Sequence, residues 1–77
     1  MKKEELMEQM IQLVRENTDA ADISGASSFM DDLEMSSMEI FAFTGDLEAE
    51  LGIRIPERVL NKAATLDELA DEILKLL

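Results

Sequence analysis

Two Ser/Thr-x-x-Glu tetrads, Ser36-Ser37-Met38-Glu39 and Thr65-Leu66-Asp67-Glu68, constrain this chain more than any other feature. In such a capping box the hydroxyl at the first position accepts the amide three residues on. The glutamate returns a bond to the first residue's own amide, so each tetrad marks a helix start. Apolar residues then recur at helical spacing. Ile40, Phe43, Leu47 and Leu51 follow the first box and end at Gly52, predicting a helix over about 37–51. Leu66, Leu69, Ala70, Ile73 and Leu77 follow the second, with Lys75 near the negative end, predicting one over about 66–76. A third stripe, Leu6, Met10, Leu13 and Val14 with Met7 and Ile11, predicts a helix over about 3–16, with Glu4 and Glu5 at its start and Arg15 at its end. Ile53-Arg54-Ile55 is expected to be extended because Ile55 precedes Pro56, and residues 57–62 are expected to form a short helix with Val59 and Leu60 inward. The expectation is an all-α fold: a small four-helix bundle of three main helices and one short one, forming a single domain over 1–77. Its long first loop, Asn17 to Met35, is anchored by Ile23, Phe29 and Leu33. A connection that long in so small a domain usually has a task.

The chain has no Cys and no His. That removes thiolate nucleophiles, imidazole bases, disulfides and the usual zinc ligands, and with 77 residues no large catalytic cleft can be built. Any Ser-His-Asp reading fails at once, and Ser37 is read as an attachment point and not a catalyst. Asp31-Asp32-x-Glu34 lacks the spaced acids and glycine of a calcium loop, so no metal site is expected. A net charge of −11 repels nucleic acid and anionic lipid, and it favours a basic protein partner. No Lys or Arg occurs between Arg15 and Arg54, so the middle of the chain is uniformly negative. Apolar residues at 47% with helical spacing argue for folding in spite of that charge. Met1-Lys2-Lys3-Glu4-Glu5 lacks the apolar core of an export signal, and a cytoplasmic monomer without membrane insertion is expected.

Ser37 falls in the first turn of the helix that Ser36 caps. Unpaired amides and the positive end of the helix dipole suit a phosphate ester there. The same helix breaks local rules. Asp46, Glu48 and Glu50 crowd its negative end, and Asp46 and Glu50 are like charges four residues apart; each of these two features destabilises by roughly 0.2 to 1 kcal/mol. Gly45 in its middle costs about another 1 kcal/mol. Such exceptions gather at functional surfaces, so the outward face of Met38, Phe41, Gly45, Asp46 and Glu48, with Asp31, Asp32, Glu34 and Glu39 beside it, is read as a docking surface. A solvated acidic face is the plain alternative, with Met38 and Phe41 covered by the long loop as core.

Three spaced stretches resemble the acyl carrier protein family, small four-helix proteins that hold a 4'-phosphopantetheine arm on a serine. Phe29-Met30-Asp31-Asp32-Leu33-Glu34-Met35-Ser36-Ser37-Met38 matches the family's attachment signature, an acidic pair followed by Leu-Gly-x-Asp-Ser-Leu. Leu51-Gly52-Ile53-Arg54-Ile55-Pro56 resembles its helix exit, and Thr65-Leu66-Asp67-Glu68-Leu69 the start of its last helix. The resemblance covers essentially the whole chain and puts Ser37 on the modified serine. Ser36 stands where the family has an acid, Glu34 where it has Gly, and Met38 where it has Leu; Ala42 and Gly45 also depart from its pattern.

The resemblance implies that a phosphopantetheinyl transferase supplies base and metal while the Ser37 hydroxyl attacks the pyrophosphate of coenzyme A. It implies slower modification, or a dedicated transferase, because Ser36 lacks the acid's charge. The arm's thiol would then carry an acyl or related acid as a thioester to basic-patched enzymes of fatty acid, polyketide or related biosynthesis. Tethering raises its effective concentration. Six methionines suggest a core able to adjust to an acyl chain. The alternative class is an unmodified acidic adaptor or inhibitor that keeps the fold and docks on a basic protein.

Overall fold

Both capping boxes form, and each opens a helix at the residue after the cap. In this computed structural model, which describes residues 1–20 and 22–77, the elements in order are α1 (Lys3–Asn17), α2 (Ser37–Leu51), α3 (Glu57–Lys62) and α4 (Leu66–Leu76). Glu39 N–H donates to Ser36 Oγ at 3.2 Å while Ser36 N–H donates to Glu39 Oε1 at 2.9 Å. Thr65 and Glu68 repeat the exchange at 3.2 Å in both directions. At the far end of α2, Gly52 adopts φ 67°, the left-handed conformation that glycine enters without a Cβ clash, and its N–H returns to Glu48 O at 2.8 Å. α1 runs to Asn17, whose Nδ2 donates to Leu13 O at 2.8 Å, and it stops where Thr18 becomes extended.

α1 packs against both α2 and α4, while α3 packs on α4 alone. Leu6, Met10, Leu13 and Val14 from α1 meet Phe43 and Leu47 from α2 and Leu66, Leu69, Ala70 and Ile73 from α4 in one buried cluster. Each fully buried Leu or Phe contributes about 1.5–3 kcal/mol of transfer free energy against the cost of ordering the chain. The one buried threonine, Thr44, is satisfied by donating to Ile40 O at 2.8 Å.

The long first loop lies against the start of α4. Phe29 N–H donates to Ala64 O at 3.1 Å, Leu66 N–H to Ser27 O at 3.3 Å, and Asp67 N–H to Gly25 O at 2.9 Å. An isolated antiparallel bridge pairs Ser28 with Thr65, and the described residues form no named strand. A Cβ on Gly25 would come within 2.9 Å of the exposed Asp67 carboxylate, which would have to swing aside to admit it. Phe29 packs its ring on Phe43 with centroids 6.1 Å apart, and Leu33 and Met35 are buried beside them.

Several inward assignments change. Leu77, expected in the core, is exposed at 52%, because it is the C-cap of α4, beyond the last residue α4 buries, Ile73. Ile40, Leu51, Leu60 and Ile23 are half-buried at the edge of the core. Met35, Ile55 and Ala63 join the interior instead. Among the described residues no helix is long and apolar enough to cross a membrane.

Candidate functional site

Ser37 is the first residue of α2 and is exposed. Its neighbour Ser36 spends its hydroxyl on the capping box, its carbonyl accepts Ile40 N–H at 2.9 Å, and Ser37 takes no part in either box bond. The two adjacent serines are thus divided by geometry, one closing the helix and the other presenting its hydroxyl at the rim of the fold.

That rim is apolar. Met38 is 82% exposed and Phe41 77%, and with Ser37 they line one small hollow. The reading of these two as core beneath the loop is therefore excluded. On the other side Ser37 borders a cleft of about 500 Å³ between α2 and α3, walled by Phe29, Ile40, Phe41, Leu60 and Ala63, with Met30 and Asp31 at its mouth. The cleft exists because α2 and α3 make no close backbone approach, while α3 is held on α4. An exposed hydroxyl with an apolar recess beside it has room for a long flexible ester.

The acids expected to dock partners have differing surroundings. Asp31, Glu34 and Asp46 are exposed along the loop and α2, and Gly45 is exposed with open space above it. Asp32 is also exposed, but its Oδ2 accepts Ser28 N–H at 2.8 Å, tightening the turn at 28–32. Asp46 Oδ2 accepts Asn17 Nδ2 at 3.3 Å, linking α2 to α1. Glu39 is half-buried and committed to the capping box. Glu48 is half-buried, and its Oε2 accepts Ile55 N–H at 2.6 Å, so it latches the segment ahead of Pro56. Thr65 caps α4 and does not line the cleft at Ser37.

Glu34 has φ 50°, a left-handed conformation that disfavours a side chain. The backbone at this position therefore suits the glycine for which Glu34 was read as a replacement. Sequence reasoning missed Met30, Leu60 and Asn61 as cleft-lining residues. Periodicity cannot reveal them, since they come from a loop and a helix of six residues. Among the described residues no group of three or more potential ligands could hold a metal ion.

Residues 8–73 match the family described as "Phosphopantetheine attachment site". The chain is 29% identical over 73 residues to an acyl carrier protein of Myxococcus xanthus, covering 92% of each chain. It is 29% identical over 73 residues to one of Micrococcus luteus, covering 92% of this chain and 90% of that one. To one of Rubrobacter xylanophilus it is 26% identical over 77 residues, covering 97% and 95%. With four helices in this order and a family match that runs from α1 into α4, the chain belongs to the acyl carrier protein family, non-catalytic carriers of a phosphopantetheine arm.

Proposed function

We propose that Ser37 is the attachment residue, and that the chain, acting as one domain over 1–77, carries acyl or related acids between enzymes on its arm. The observation that carries this reading is the exposed Ser37 hydroxyl at the first turn of α2, outside the capping bonds and beside an apolar cleft. Ser36 holds the helix start while the Ser37 oxygen stays open to a transferase. On attachment the Ser37 Oγ displaces the nucleotide side of coenzyme A's pyrophosphate, losing its proton and gaining one phosphodiester link. The bound arm supplies the thiol that a chain without Cys lacks.

Partners in this reading are a phosphopantetheinyl transferase and the acyl-loading and acyl-using enzymes of fatty acid, polyketide or related synthesis, in the cytoplasm, acting on a monomeric carrier. Their basic patches meet the exposed acids Asp31, Asp32, Glu34 and Asp46, while Met38, Phe41 and the flat surface at Gly45 offer apolar contact; Glu39 and Glu48, spent on bonds within the fold, add only their charge. Exposed charge speeds association and is weakened by salt, which suits brief visits by many partners. Coexpression with a broad-specificity transferase and intact mass measurement test the assignment. One phosphopantetheinyl group is expected on the native chain and on Ser36→Ala, and none on Ser37→Ala. An adduct surviving Ser37→Ala would refute it, and no adduct with any transferase would favour the unmodified adaptor.

A further inference from the structure

Apart from Met1, Leu76 and Leu77 at the ends of the chain, the large hydrophobic side chains exposed among the described residues are Met30, Met38 and Phe41. All three line the two adjoining hollows that Ser37 and Phe41 share. Two of the three are thioethers, 68% and 82% exposed, whereas Met10 and Met35 lie in the core at 0% and 2%. Oxidation of methionine follows access to the sulfur, so a dissolved peroxide meets Met30 and Met38 while the core sulfurs stay shielded.

We propose that Met30 and Met38 form a peroxide-responsive pair whose oxidation blocks loading of Ser37. The inference rests on Ser37 being the attachment residue. In the reaction a sulfur lone pair attacks one peroxide oxygen, an S–O bond forms and the O–O bond breaks, and the departing hydroxide takes up a proton as water. Sulfur loses two electrons and the peroxide gains them. The product sulfoxide is polar. A transferase surface that closes over Ser37 with apolar side chains then has to desolvate two strong dipoles in the hollows that border this residue. The core keeps its packing because its own sulfurs are not reached, so the change acts on docking and leaves the fold intact. Methionine sulfoxide reductases reverse the reaction, which makes the pair a switch.

The test treats the full chain with hydrogen peroxide, removes the peroxide with catalase, maps sulfoxides by peptide mass spectrometry, and measures loading from coenzyme A by a broad-specificity transferase. Each protein's rate is divided by its own untreated rate. Met30 and Met38 are expected to oxidise about tenfold faster than Met10 and Met35. Loading of the native chain is expected to fall about fivefold or more with an unchanged thermal midpoint, and to recover after reductase treatment. In Met30→Leu/Met38→Leu the ratio should stay near one. An unchanged ratio in the native chain, an equal fall in the double variant, or equal oxidation of the core methionines overturns the proposal. If the untreated chain takes up no arm, the attachment reading is what fails, and this inference falls with it. Loading of the untreated chain with no response to peroxide overturns the inference alone.

Discussion

The Glu48 carboxylate accepts the Ile55 amide at 2.6 Å across the turn that joins α2 to α3. Ile55 is buried, and Pro56 after it has no N–H, so this charge-assisted bond fixes the last free donor before α3 begins. Glu48→Ala should lower stability by about 1–2 kcal/mol, because a buried amide loses its partner. Glu48→Gln, which keeps an acceptor oxygen, should lose less. Urea midpoints rank the variants, and faster hydrogen exchange at the Ile55 amide should accompany the loss.

Glu34→Gly should stabilise the chain. The φ of 50° costs a side-chain-bearing residue about 1–2 kcal/mol, and glycine's greater freedom in the unfolded chain offsets up to about 1 kcal/mol. A net gain of about 0.5–1 kcal/mol is expected, read as a higher urea midpoint with an unchanged slope. Glu34→Ala keeps the Cβ and should give no such gain.

Substitutions at Ser36, which caps α2, can tell helix capping apart from the loading proposed at Ser37. Ser36→Ala removes the acceptor for Glu39 N–H and should cost about 1 kcal/mol, whereas Ser36→Asp keeps an acceptor and adds a favourable charge at the positive end of α2. Thermal midpoints should therefore place Ser36→Asp level with or above the native chain and Ser36→Ala below it. In the same samples, loading by a broad-specificity transferase should be fastest for Ser36→Asp.

Lys3 bridges α1 to α4, with Nζ 2.9 Å from Asp71 and 3.2 Å from Asp67. Hydrogen bonding to Asp71, then to Asp67, raises its pKa above 10.5. A raised folded-state value means that its contribution is complete below the unfolded pKa and disappears as pH climbs through the folded one. Lys3→Met should lower the thermal midpoint at pH 7, and the difference from the native chain should shrink once the pH passes about 10.5. A difference that persists in strong alkali would mean that the lysine stem, not its charge, holds the helices together.

Helices were legible in this sequence because their ends carry their own chemistry. Ser36 with Glu39, Thr65 with Glu68, and Gly52 in its left-handed cap act within a few residues, and the apolar spacing between them needs no knowledge of the rest of the chain. Phe29 and Leu33 were legible as anchors of the first loop, but the path of residues 25–29 along α4 was not. Its attachments run from backbone to backbone, Gly25 to Asp67, Ser27 to Leu66 and Phe29 to Ala64, and leave no side-chain pattern. At the candidate site, the outward arc of α2 placed Met38 and Phe41 at the surface, as found. Glu48 was harder to place because an acid on an outward face reads the same whether it meets solvent or captures an amide. The clue lay seven residues on, in a buried isoleucine whose N–H needed an acceptor.

The stitches between residues 25–29 and the opening turn of α4 give the segment before Ser37 the character of a splint. It is lashed to the last helix at one end, wedged into the interior by Phe29, Leu33 and Met35, and delivers the chain to the threshold of α2 at the other. Damage at Thr65, far along the sequence, would therefore slacken the footing of the serine itself.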